Sequence, residues 1–251
     1  LQYLYHYLLT GWISLALILF PLLLKIKVPY GRHTHSGWGR MIDNRKAWLI
    51  MEIPALLIFP FLALSGPQQK TPLLWLILIL WVVHYGNRVF IFPFRLRTQG
   101  KKMPLLILLM GIFFNGINGF FNGYFLGYLS TPLIKEEILS YHVLIGLSVF
   151  FVGMIINHVS DQHLISLRQG KETGYKIPKG WLFEYVSCPN HLGEIIEWWG
   201  FFLICFSLPA FSFALWSMVN LIPRTLDHHR WYKNNFSDYP ANRKAVIPFL
   251  W

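Results

Sequence analysis

The chain has 251 residues, of which 55% are apolar and only 13% charged, and its formal net charge is +11. About 25% charged residues is usual in a soluble domain, so this composition excludes an ordinary water-soluble fold. Its two cysteines, Cys188 and Cys205, exclude a disulfide scaffold, and the absence of nucleic-acid-type basic runs excludes a nucleic-acid partner.

Apolar segments follow one another along the chain at Leu1–Leu24, Ala47–Leu64, Pro72–Phe92, Pro104–Leu126, Ile138–Ile156, Leu192–Phe206 and Pro209–Ile222. Several reach the roughly 20 residues that cross ~30 Å of hydrocarbon. The first lacks the charged leading region of a signal peptide and reads as a retained helix; it opens on Leu1 rather than Met, which leaves room for a short preceding stretch. Ser207-Leu208-Pro209 divides the last two, because the residue before a proline avoids the helical region. The basic residues alternate with these segments. Lys25, Lys27, Arg32, Arg40, Arg45 and Lys46 follow the first, Arg95, Arg97, Lys101 and Lys102 the third, Arg168, Lys171, Lys176 and Lys179 the fifth, and Arg224, Arg230, Lys233, Arg243 and Lys244 the seventh. The intervening gaps carry Lys70 and Lys135 alone. Basic connections stay cytoplasmic. The pattern therefore predicts an all-α polytopic membrane protein with seven transmembrane helices, N-terminus outside and C-terminus cytoplasmic, in one domain over 1–251. The bilayer is the expected surrounding, and no obligate protein partner is implied.

Polar residues inside the apolar segments are costly and mark sites or internal pairings. They are Glu52 in the second, His84, Tyr85, Asn87 and Arg88 in the third, and Asn115, Asn118 and Asn122 among the glycines of the fourth. Asn157, His158, Ser160 and Asp161 end the fifth, and Asn190, Glu194 and Glu197 open the sixth. Arg88 can neutralise Glu52, and the glycines suit close helix packing. The sum of the clusters calls for a wet or ligand-filled cavity. Gly37-Trp38-Gly39-Arg40-Met41-Ile42 lacks the third glycine of a dinucleotide fingerprint and follows no strand. His158, His163 and His228-His229 fall short of a di-iron ligand set, since Thr225 stands where a third imidazole belongs. No metal is expected.

The C-terminal half holds Ser187-x-x-Asn190-x-x-Gly193-Glu194-Ile195-Ile196-Glu197-Trp198, then His228-His229-Arg230-x-Tyr232, then Tyr239-Pro240-x-x-Arg243-Lys244-Ala245-x-Ile247-Pro248-Phe249. Upstream stand Tyr30-Gly31-Arg32-His33-Thr34, Glu52-x-Pro54 and His84-Tyr85-x-x-Arg88. Together these motifs resemble the steroid 5α-reductase family from about Tyr30 to the end of the chain. The C-terminal motifs alone are shared with enoyl-CoA reductases, sterol reductases and isoprenylcysteine methyltransferases.

The resemblance implies a bundle that takes NADPH from the cytosol and a 3-oxo-Δ4-steroid from the bilayer. Residues 1–130 then serve mainly the substrate and 138–251 mainly the cofactor. It implies cofactor contacts at Asn157, Asp161, Arg168, Asn190, Arg224, His228 and Tyr232, with Glu194 near the nicotinamide. Tyr30, Arg97, Tyr175 and Trp198 join this cofactor set, and Glu52 and Tyr85 are expected as the catalytic pair on the steroid ketone. Two positions depart from the family: Met51 stands where Gln is common, and His191 where an apolar aromatic is familiar. The residue types suit this chemistry. Hydride adds to carbon 5 of an enone when the ketone oxygen is polarised, as in an oxyanion hole. Tyr85 can donate to that oxygen, and Glu52 can do so when protonated, the form that apolar surroundings favour. Arg168, Arg224, Arg97 and Arg243 suit phosphates. Enoyl-CoA or other lipid enone reduction is the nearest alternative, and a methyltransferase using S-adenosylmethionine a further one. A bacterial inner membrane or the endoplasmic reticulum is the expected location.

Overall fold

A computed structural model describes residues 2–29, 31–97, 100–131, 138–168 and 174–248. Among them are seven helices of 15 residues or more: α1 (Gln2–Leu23), α2 (Asn44–Ser65), α3 (Pro72–Gly86), α5 (Leu105–Tyr124), α6 (Tyr141–Ser166), α7 (Pro189–Cys205) and α8 (Leu208–Asn235). The short α4 (Phe92–Arg95) follows α3 through a π-helical stretch, Asn87–Ile91, and a second such stretch, Phe125–Leu129, ends α5. Among the described residues, five helices are long and apolar enough to cross a membrane: Gln2–Leu23, Asn44–Ser65, Pro72–Arg95, Leu105–Leu129 and Tyr141–Ser166. Large apolar side chains such as Tyr3, Tyr7, Phe61, Phe113 and Ile155 stand exposed along them, as contact with lipid requires. The remaining two differ from the expected spans. α7 has only 17 residues. α8 does not stop at Ile222 but runs on through Pro223 into the polar stretch from Arg224 to Asn235.

Helix boundaries follow local chemistry. Asp43 Oδ1 caps α2 by accepting from the amides of Arg45 and Lys46, both at 3.1 Å. Thr71 caps α3 at Leu74 N (3.3 Å), with Pro72 in the first turn, where its missing N–H loses nothing. Lys70 Nζ donates to the carbonyls of Ala63 (3.0 Å) and Gly66 (2.8 Å), satisfying the end of α2. α7 ends before Phe206, whose φ of 40° breaks the helix; Pro209 then lies in the first turn of α8. A two-stranded antiparallel ribbon, β1 (Met41–Asp43) and β2 (Lys102–Pro104), adds to the expected all-α fold. Three-residue strands carry no readable period.

The chain divides into two compact units, Leu1–Thr10 with Val28–Leu144 and Ile204–Ala210, and Gly11–Lys27 with Ile145–Leu203 and Phe211–Trp251. In the first, α2 and α5 lie backbone to backbone: a Cβ on Gly123 would come within 2.7 Å of Phe59 O, and one on Gly127 within 2.1 Å of Leu62 O. In the second, α6 and α7 do the same. A Cβ on Gly193 would sit 2.4 Å from Asn157 N, and one on Gly200 2.3 Å from Phe150 N. Small residues let helices approach where lipid gives no hydrophobic drive.

Candidate active site

In the first unit, α2, α3, the π stretch and α5 bring four polar side chains into one buried cluster. Glu52 is 6% exposed, Tyr85 3%, Arg88 8% and Asn115 6%. Arg88 Nη2 lies 3.3 Å from Glu52 Oε1, while Asn115 Nδ2 donates to Glu52 Oε2 at 3.2 Å. Asn115 Nδ2 also donates to Met51 O at 2.8 Å, and the Tyr85 hydroxyl donates to Asn115 Oδ1 at 3.4 Å. The Arg88 guanidinium lies over the rings of Trp48 (4.4 Å) and Phe92 (4.7 Å), which hold its charge off lipid. Trp81 packs against Tyr85 at 4.9 Å. Glu52 and Tyr85 are therefore brought together, with both Glu52 oxygens accepting N–H bonds. Both the charged and the protonated acid keep acceptor capacity on these oxygens, the carboxylate the more. Arg97 lies exposed after α4, and Tyr30 falls outside the described residues.

In the second unit, the end of α6 meets the start of α7. Asn157 Nδ2 donates to Asn190 O (3.0 Å), and Asn190 Nδ2 to Asp161 Oδ1 (3.0 Å). Arg168 lies 5.4 Å over Tyr175, whose ring meets Trp231 at 5.1 Å. Glu194 and Arg224 are half-buried. Trp198 is 1% exposed and packs on Phe213 at 4.3 Å, so it belongs to the helix core. His228 stands 5.8 Å from His191; His191 Nδ1 donates to Thr225 Oγ1 (2.7 Å), because the threonine hydrogen goes to Leu221 O. Tyr232 stacks in parallel on Tyr239 at 5.2 Å.

A hub not singled out in the sequence sits beside this stack. Ser187 Oγ contacts His229 Nδ1 and the Tyr239 hydroxyl, each at 2.6 Å, and Lys244 O at 3.1 Å. Burial, then the nearby Lys233 and Arg243 charges, hold the His229 imidazole below its ordinary value, and burial pushes the Tyr239 hydroxyl up. Arg243 is 2% exposed and lies 5.0 Å over the Tyr239 ring. Among the described residues its Nε, Nη1 and Nη2 have no hydrogen-bond partner. A buried guanidinium so placed fits an anion. The motif spacing contained these residues, but nothing in it ranked Arg243 above the other arginines. No group of three or more metal-ligating side chains occurs among the described residues.

Apolar helices of bilayer length, carrying buried ionisable and amide groups, fit an integral-membrane protein. The family model for 3-oxo-5-alpha-steroid 4-dehydrogenase matches residues 101–251. The chain is 38% identical to steroid 5-alpha-reductase DET2 of Gossypium hirsutum, over 100% of this chain and 98% of that one. It is 37% identical to 3-oxo-5-alpha-steroid 4-dehydrogenase 1 of Bos taurus (94% and 93% covered) and 38% identical to that of Homo sapiens (88% and 85%). The chain belongs to the 3-oxo-5-alpha-steroid 4-dehydrogenase family, oxidoreductases of steroid metabolism that act on a CH–CH group.

Proposed function

We propose that the chain reduces the Δ4 double bond of a 3-oxo-Δ4-steroid to the 3-oxo-5α-steroid, with NADPH as reductant. The observation that carries this reading is the buried Glu52–Asn115–Tyr85 chain, a hydroxyl donor set in an apolar helix bundle. Such a site suits a neutral, mostly apolar ligand with one polar end. NADPH, when bound, would supply the hydride that an enone accepts at carbon 5, and carbon 4 of the resulting enolate then takes a proton from water. The chain's own task at the substrate is to polarise the ketone. Tyr85 donates to that oxygen as charge develops there, the scale of one such donor being roughly 10²–10³ in rate. Glu52, paired with Arg88, keeps the surrounding charge balanced; to donate itself it must take up a proton.

On the cofactor side, Arg168, Arg224 and Arg243 suit the diphosphate and the extra 2′-phosphate, since guanidinium binds phosphate in a bidentate way. Asn157, Asp161, Asn190, Glu194, His228 and Tyr232 supply the remaining polar and stacking contacts. With the basic connections cytoplasmic, the cofactor enters from the cytosol. NADPH oxidation by the purified protein against a panel of 3-oxo-Δ4-steroids and enoyl-CoAs tests the reading: turnover confined to the steroids supports it, and turnover confined to the thioesters overturns it. In a background lacking Cys188 and Cys205, single cysteines at Gln69 and Lys233 should label from opposite faces of sealed vesicles. Labelling from one face removes the orientation.

A further inference from the structure

Ser187 stands two residues before α7 and is 2% exposed. Its hydroxyl meets three separate parts of the second unit. These are His229 Nδ1 on α8 and the Tyr239 hydroxyl beyond that helix, each at 2.6 Å, and Lys244 O in the tail at 3.1 Å. A serine oxygen carries one hydrogen and two lone pairs, so three partners use it completely. A carbonyl only accepts, so the serine hydrogen goes to Lys244 O. His229 then donates from Nδ1 and Tyr239 from its hydroxyl. One oxygen thereby fixes two side chains and one peptide.

Both ends of Arg243 depend on what that oxygen holds. On the backbone side, Lys244 N donates to Tyr185 O (2.8 Å) and Ser187 N to Lys244 O (2.9 Å), in a parallel bridge between Val186 and Lys244. On the side-chain side, the guanidinium lies 5.0 Å over the Tyr239 ring, whose hydroxyl is the group that Ser187 accepts from. A cation over a ring face is held by attraction to the whole face, so its place follows the place of the ring. A buried guanidinium set in advance spares a bound phosphate the cost of ordering it.

We propose that Ser187 is a positioning residue of the cofactor site: by tying the Tyr239 ring and the Lys244 peptide to one oxygen, it pre-places the Arg243 guanidinium for the anionic part of NADPH. This rests on the reading of Arg243 as a cofactor contact. Ser187→Ala removes the oxygen but keeps the backbone bridge, so the tail stays paired and only the side-chain ties are lost. Tyr239→Phe breaks the same tie from its other end and leaves a ring beneath the guanidinium. Each variant should weaken NADPH binding by about 3- to 15-fold, less than Arg243→Met does. KM for NADPH should rise by the same factor, while kcat at saturating NADPH and KM for the steroid stay within about twofold of the parent. A general loosening of the fold would lower kcat as well.

The deciding measurement is a double-mutant cycle, read by calorimetric titration of NADPH into the full-length protein in detergent. In the Arg243→Met background, Ser187→Ala should cost less than about twofold, because the group it places is already gone. Ser187→Ala and Tyr239→Phe combined should bind within about twofold of the weaker single variant, since both cut one tie. Losses that multiply in the Arg243→Met background, or a Ser187→Ala protein that binds NADPH as the parent does, overturn the proposal. If Ser187→Ala does not fold, Tyr239→Phe carries the same cycle with Arg243→Met. A parent protein that binds no NADPH removes the reading of Arg243, and this proposal with it. Failure of the cycle alone leaves that reading standing and makes Ser187 a residue of the fold.

Discussion

In the cluster of α2, α3 and α5, the Arg88 charge meets Glu52 at 3.3 Å, and an amide joins the acid to a phenol. In the second unit, the still more deeply buried Arg243 guanidinium lies over the Tyr239 ring, with no hydrogen-bond partner among the described residues. Around His229 the acting charges are Lys233, Arg243, Arg230 and Lys244, all positive. One cluster is neutral as it stands and suits an uncharged ligand. The other carries an excess of positive charge, with Arg230 paired to Asp227 at 3.6 Å, and suits an anion. The difference teaches that burial of charge has two meanings, which the completeness of its hydrogen bonds separates.

The comparison breaks most visibly at Glu52. Glu52→Ala should lower turnover by roughly 10²–10³ and, by leaving Arg88 buried and unpaired, destabilise the fold by about 3–5 kcal/mol. Adding Arg88→Leu should restore the melting temperature in detergent without restoring turnover. Recovery of both together would make Glu52 purely structural. Arg243→Met should behave in the opposite sense. It should weaken NADPH binding by about 1.5–3 kcal/mol while leaving the melting temperature of the cofactor-free protein undiminished, as checked by calorimetric titration beside thermal melting. A drop in melting temperature with normal NADPH affinity would place Arg243 in the fold instead.

Ionic strength sharpens the contrast further. KM for NADPH should rise severalfold between low and physiological salt, where the Debye length shortens to about 8 Å, while KM for the steroid stays level. The smallest effect is in pH. His229 is held below its ordinary value, so the folded protein resists a proton that the unfolded chain accepts. The stability it contributes is present above an ordinary imidazole value of about 6.5 and falls as pH drops below it. Melting curves across that range should show the fall in the parent and a shallower one in His229→Gln.

Much of this was legible in the residues. Long apolar stretches revealed the helices, and the spacing from Ser187 to Trp198 and from Tyr239 to Phe249 pointed to the family. Asn115 was visible as a polar residue in an apolar helix, but the same Asn and Gly pattern also describes packing, which Gly123 and Gly127 perform. Only the approach of α2 and α5 tells the two roles apart. The end of α8 was hidden for a different reason. Hydropathy falls at Arg224, yet the helix continues, because Ile222, Leu221 and Leu226 pack with Val246 and Ala245 from the tail. Arg243 gave no sign of its burial, since that depends on the fold of residues far from it in sequence.

The π-helical stretch Asn87–Ile91 begins two residues after Tyr85 and contains Arg88, and its wider turn is closed by Phe92 N on Asn87 O. Such a turn holds one residue more than an α-helical turn. Deleting any one residue there would leave the length and hydropathy of the span almost unchanged, so membrane insertion should proceed as before. The residue removed would be the extra one of the wide turn, so an ordinary α-helical turn would take its place and Phe92 and Pro93 would keep their faces, Pro93 O still accepting from Arg45 Nε. Loss of the exposed Phe90 should then be absorbed, whereas loss of Arg88 would remove the partner of Glu52. In this turn the cost of a one-codon deletion is set by which side chain goes and not by the change in length.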